Sequence, residues 1–184
     1  MIFTETELPG AFLVDLERHG DERGFFARTW CADEFAEHGL PDRLVQASVS
    51  FNALAGTLRG LHWQVPPHAE VKLVRVTAGA VWDVLVDLRP GSPTHARHVG
   101  VRLDARGRRA VWIPKGFAHG FVTLDDATEV AYQMTERHAP QAARGARYDD
   151  PAFGIDWPRE PAVISPRDLA WPAFTPAPDP AARP

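Results

Sequence analysis

The sequence predicts an all-β domain of short strands, a sandwich or a barrel. Between residues 44 and 134 the chain is a succession of short runs rich in Val, Leu, Phe and Trp. They recur at spacings of roughly 8–15 residues, the pattern of a sandwich or barrel. Clusters suited to tight reversals lie between them: PPHAE, TAG, RPGSPT, DARGR, PKG and LDDA. No helical pattern separates the runs, which argues against a parallel sheet with crossover helices.

The elements follow in order. Residues 1–30 hold two apolar pieces, GAFLVDL and RGFFARTW, on either side of the polar run ERHGDE. CADEFAEH, residues 31–38, is the helix candidate, with Gly39 placed to end it. The strand candidates are LVQASVSF, TLRGLHWQ, VKLVRV, AVWDVLVDL, HVGVRL, RAVWIP, GFVTL and TEVAYQM. After Pro140, RYDDPAFGIDWP and VISPRDLAWP read as extended, Trp-bearing segments that wrap the domain. A single domain is expected over 1–171, with the proline-rich run 172–184 as an extended tail.

Composition narrows the function. The 184 residues suffice for one sizeable core, and 45% hydrophobic with 24% charged residues is ordinary for a globular protein. A formal net charge of −4 gives no support to a general nucleic-acid surface. No apolar run approaches the ~20 residues of a membrane span, and MIFTETELPG lacks a secretion signal, so a cytoplasmic location is expected. The single cysteine, Cys31, excludes an internal disulfide.

Two stretches concentrate polar residues where strands want apolar ones: GTLRGLHWQ (56–64) and IPKGFAHGF (113–121). Taken alone, His62 could be a packed core histidine, a metal ligand or a base. Lys72 inside VKLVRV and Tyr132 inside TEVAYQM add to the anomaly, because a charged amine in a strand interior is costly without a partner or task. Together they indicate a polar cavity. A metal site would draw on His62, Glu70 and His119. Against it, Gln64, two residues after His62, is a neutral amide and a poor ligand beside imidazole. No metal or other cofactor is expected.

A glycine, histidine and glutamate in the first stretch, followed by Pro-x-Gly-x-x-His in the second, resembles the motif pair of the cupin superfamily and implies a cupin-type jelly roll of two packed antiparallel sheets with short helices. More narrowly, DERGFFARTW, GTLRGLHWQ, VKLVRVTAGAVWDVLVDLRPGSPT, WIPKGFAHGFVTL, DDPAFGIDWP and ISPRDLAWP resemble the dTDP-4-dehydrorhamnose 3,5-epimerases over about residues 8–172. The resemblance implies an isomerase that inverts C3 and C5 of a dTDP-linked 4-keto-6-deoxy sugar. His62 would be the base, Asp168 its partner carboxylate and Tyr132 the acid on the opposite face. Lys72 and His119 would stabilise the enolate. An imidazole titrating near ~6.5 suits the base.

Arg59 would clamp the diphosphate, a task suited to a planar guanidinium. Arg23, Phe26, Gln46 and Ser48 would hold the nucleotide, partly across a homodimer interface. Three positions depart from the family pattern: Arg28 replaces a glutamate, Ser48 an asparagine and His138 a tyrosine. These leave open a sugar linked to another nucleotide; inversion at one carbon only is a separate alternative. Arg59 and His62, three residues apart, would face opposite sides of a regular strand. Because both should face the substrate, a bulge or twist is expected around Gly60.

Overall fold

A computed structural model describes residues 1–175. In chain order the elements are β1 (Ile2–Glu5), β2 (Phe12–Asp15), β3 (His19–Asp21), β4 (Gly24–Phe26), α1 (Ala32–Glu37), β5 (Gln46–Asn52) and β6 (Thr57–Gln64). Then come β7 (Lys72–Ala78), β8 (Ala80–Asp87), β9 (His98–Asp104), β10 (Ala110–Ile113), β11 (Phe117–Thr123) and β12 (Thr128–Met134). Short elements close the chain: β13 (Ala143–Gly145), β14 (Val163–Ile164) and α2 (Pro166–Leu169).

One sheet runs β1-β2-β10-β7-β12-β5 and the other β13-β6-β11-β8-β9, with β14 added in parallel beside β6. The other pairings in both sheets are antiparallel, as the sequence predicts. Val74 and Val76 of β7, Leu85 of β8, Phe117 and Phe121 of β11 and Val130 of β12 meet in the core. Strand alternation sends Leu73 of β7 the other way, to join Phe35 of α1 and Trp112. The second sheet is covered on its outer face by Phe153, Trp157 and Phe174. With both faces covered, β8 and β11 read as nearly continuous apolar runs.

The helix lies where expected, between Cys31 and His38, and Gly39 follows at φ +69°. Two boundaries move. The strand expected at GFVTL begins earlier, at Phe117, which puts His119 inside β11. The docked chain also continues past residue 171. Phe174 donates its backbone N–H to Asp150 Oδ2 and packs against Phe153, so an apolar side chain anchors what was expected to be tail. Residues 176–184 of that expected tail lie outside the described residues.

The anticipated bulge is present. Across β6 and β11, His62 pairs with His119 and Arg59 with Phe121. Three steps on β6 therefore match two on β11, so the additional residue, at Gly60–Leu61, turns Arg59 and His62 to the same face. Gly60 has φ +142°, and a Cβ there would lie 2.5 Å from the Cα of Gly120. A Cβ on Gly120 would lie 2.9 Å from the carbonyl oxygen of Arg59. Neither position has room for a side chain. Gly60→Ala is expected to cost about 2–3 kcal/mol and to lower the melting temperature by roughly 5–10 °C, measurable by calorimetry.

Candidate active site

A cavity of about 650 Å³ is lined by both sheets and by the β14–α2 segment. Nine of the expected residues line it: Gln46, Ser48, Arg59, His62, Lys72, His119, Tyr132, His138 and Asp168. The arrangement follows from strand parity. His62 and His119 are cross-strand partners on one sheet, and Tyr132 and Ser48 are cross-strand partners on the other.

His62 Nε2 donates to Asp168 Oδ1 at 2.6 Å. That bond fixes the proton on Nε2 and leaves the lone pair on Nδ1. Asp168 reaches the ring because Ser165 caps α2 by accepting the Asp168 backbone N–H. Its side chain is 6% exposed, against 41% for His62, so the acid is sealed while the base remains accessible. Burial pushes the Asp168 carboxyl upward. The bond and charge of His62, the Gly60 N–H and the Trp171 indole outweigh it and hold the carboxyl below its ordinary value.

Lys72 is nearly buried. Its ammonium lies 3.1 Å from Glu70 and donates to the His62 carbonyl at 3.3 Å. Gln64 donates to the other Glu70 oxygen and to the carbonyls of His68 and Arg137, while its own oxygen accepts from Ala139 N. Gln64 thus ties two loops together. His119 Nε2 donates to Asp83 Oδ2 at 2.9 Å, with both side chains buried. Asp83 was missed in the sequence, although a carboxylate inside AVWDVLVDL is the same kind of anomaly as Lys72 inside VKLVRV.

Tyr132 packs edge-on to His119, with ring centroids 6.1 Å apart. Burial, and secondarily the charge of Asp83, raises its phenol well above the ordinary value, although Arg59 pulls it down. The phenol therefore keeps its proton. Arg59 is held by Asn52, whose amide oxygen accepts from Nε at 2.8 Å.

Three expected residues stand elsewhere. Arg23 and Phe26 lie on the separate β3–β4 hairpin, where Arg23 pairs with Asp21 and Phe26 is 77% exposed. Phe25 anchors this hairpin at the β9–β10 end, lying against the guanidinium groups of Arg18 and Arg108. Arg28 donates to Glu34 Oε1 at 2.7 Å. Arg28 does not line its own chain's cavity, and Glu34 is the acid that holds it. Nor do His62, Glu70 and His119 converge as ligands, since each is bonded to a different partner. Among the described residues no three His, Cys, Asp or Glu side chains gather as a metal cage.

This cavity has an accessible, carboxylate-backed imidazole and a protonated phenol on opposite sheets, with an ammonium and a second imidazole in the same lining. A family model described as dTDP-4-dehydrorhamnose 3,5-epimerase matches residues 5–176. The chain belongs to that family. A dTDP-4-dehydrorhamnose 3,5-epimerase from Methanothermobacter thermautotrophicus is 44% identical over 172 residues, covering 92% of each chain. The crystal structure of such an epimerase from Bacillus anthracis str. Ames, with TDP and PPi bound, is similar at TM-score 0.90 and 38% identity. That match covers 94% of this chain and 99% of the other. The dTDP-6-deoxy-D-glucose-3,5-epimerase of Legionella pneumophila Philadelphia 1, in complex with dTDP-4-keto-L-rhamnose, gives TM-score 0.86 and 41% identity over 92% of this chain and 90% of that one. Membership of the 3,5-epimerase family places the chain among the isomerases.

The lowered Asp168 carboxyl has a consequence for stability. Its contribution is complete above the unfolded-state value near ~3.9 and is lost as the pH falls through the lower folded value. The stability gap between the parent and Asp168→Asn is expected to be wide at pH ~7 and to narrow by pH ~3. Urea midpoints of both proteins at the two pH values measure it, and a constant gap would contradict the assignment.

Proposed function

We propose that the protein converts dTDP-4-dehydro-6-deoxy-D-glucose to dTDP-4-dehydro-L-rhamnose by proton transfer at C3 and C5. The reading is carried by the placement of His62 with Asp168 on one side of the cavity and Tyr132 on the other. Epimerisation needs a base on one face of the carbon and an acid on the other, and the two sheets supply them.

The C4 ketone acidifies the C–H bonds on either side of it. His62 takes such a proton, and the electron pair moves onto O4. Lys72 donates to that oxygen, as does His119 through Nδ1 when its ring carries both protons, and donors of this kind are each worth roughly 10²–10³ in rate. Tyr132 then returns a proton to the opposite face, the enolate collapses to the ketone, and both groups re-equilibrate with water. Asp168 steadies the imidazolium. Asp83 keeps His119 oriented towards the same oxygen. Arg59 takes the diphosphate, and Gln46, Ser48 and His138 face the nucleotide.

Incubation with the substrate in heavy water is expected to place deuterium at both C3 and C5. His62→Ala is expected to reduce turnover about 10³-fold or more without loss of fold. Incorporation at neither carbon would overturn the epimerase reading, and incorporation at one would select the single-centre alternative.

The protein is further proposed to act as a homodimer in the cytoplasm, with Arg23 and Phe26 entering a partner subunit's cavity. Their absence from their own cavity supports this, as do the exposed Phe26, Val49 and Phe51. Mixed Arg23→Ala and His62→Ala subunits are then expected to regain activity. The Arg23→Ala subunit keeps its own His62 and would receive Arg23 from its neighbour. A mixture no more active than its components would place Arg23 in its own site or outside catalysis.

A further inference from the structure

Trp171 follows α2 by two residues, in a segment that the sequence marks only as extended. Its indole N–H donates to Asp168 Oδ1 at 3.3 Å, the oxygen that also accepts from His62. The indole meets the imidazole edge-on, with centroids 6.3 Å apart, and the Arg167 guanidinium lies 5.3 Å from the indole ring. The seat for this ring is Gly145, directly opposite His62 in the β6–β13 ladder. A Cβ on Gly145 would come within 2.2 Å of the indole. Trp171 does not line the cavity, whereas Arg167 and Asp168 do.

We infer that Trp171 is a positioning residue for His62, acting through Asp168. Its ring closes the carboxylate off from water, and its N–H shares the oxygen that binds the imidazole. An oxygen divided between two donors stabilises an imidazolium less than one bonded to the imidazole alone. The indole therefore lets Asp168 hold the ring in one orientation without trapping it in the protonated form, which cannot act as a base.

The other titratable or charged groups facing His62 are Lys72 from β7, with Glu70 behind it, His119 from β11 and Tyr132 from β12. Arg59 on its own strand, His138 after β12, Arg144 on β13 and Arg167 on α2 line the same cavity. Trp171→Phe keeps an aromatic ring beside Arg167 but removes the N–H together with part of the indole's bulk, so the shared hydrogen bond is lost while some of the shield remains; Trp171→Ala removes the bond and the whole shield. Gly145→Ala displaces the indole without altering Trp171, Asp168 or His62.

The consequences for turnover rest on the epimerase reading; those for the imidazole do not. In Trp171→Phe the His62 ring, followed by NMR and assigned with His62→Gln, is expected to titrate about half a pH unit higher than in the parent. The acid limb of kcat/KM should move with it, leaving the plateau kcat within about two-fold. Trp171→Ala and Gly145→Ala should each lose about ten-fold in kcat at similar KM. Combining them should cost no more than either alone, because both act on one ring. A His62 titration in Trp171→Phe that superimposes on the parent's overturns the inference, whether or not the protein is an epimerase. So does parental kcat in Trp171→Ala. Absence of deuterium incorporation by the parent protein overturns the epimerase reading alone.

Discussion

Gly60 and Gly120 approach so closely that neither position tolerates a side chain, and the polar end of the molecule depends on that contact. It accommodates the additional residue of β6, which reverses strand parity between Arg59 and His62. Without it, one of the two would face the outer layer with Leu61, Val84 and Val86. With it, Arg59 and His62, the proposed diphosphate clamp and base, line the same cavity. A backbone irregularity of one residue thus gives an ordinary sandwich strand two polar residues on its cavity face.

The cavity's cationic and titratable donors are matched by buried or nearly buried acids. His62 has Asp168, His119 has Asp83 and Lys72 has Glu70. Each pairing offsets part of the cost of taking a charge out of water, which is substantial for an isolated ion. It also fixes direction. A bonded imidazole has one free nitrogen and one orientation, so the cavity is organised before any ligand arrives. Asp83 shows the dependence most clearly, because its second oxygen is buried without a partner among the described residues and His119 is its sole side-chain bond.

The chemical end and the nucleotide end are built differently. The proposed base, acid and enolate donors (His62, Tyr132, Lys72 and His119) sit on long, well-paired strands of the sandwich. Arg23 and Phe26 are carried on a two-stranded hairpin outside both sheets, and Arg28 is tied to Glu34 beside α1. Departures from the family pattern fall on Arg28, Ser48 and His138, and the proposed proton-transfer groups keep their identities. Ser48 stands on β5 directly opposite Tyr132, so of the three departures it lies nearest the proposed proton-transfer groups.

The sequence by itself determined what is local. TLRGLHWQ and TEVAYQM are strands over their full length, α1 ends at its glycine, and strand parity, once the resemblance placed Arg59 and His62 on one side, foretold the bulge. Period, turn chemistry and strand parity depend on near neighbours along the chain, and they are visible there. Tertiary structure decided what depends on distant ones. From sequence alone Asp168 would pass as a surface acid beside Arg167, and only the resemblance singled it out; its bond to His62 spans 106 residues. Asp83, 36 residues from His119, and Trp171, in the groove left by Gly145, gave no pattern that fixes a partner. Hydrogen bonds across such separations are set by sheet pairing and by the path of the C-terminal segment. No periodicity encodes them.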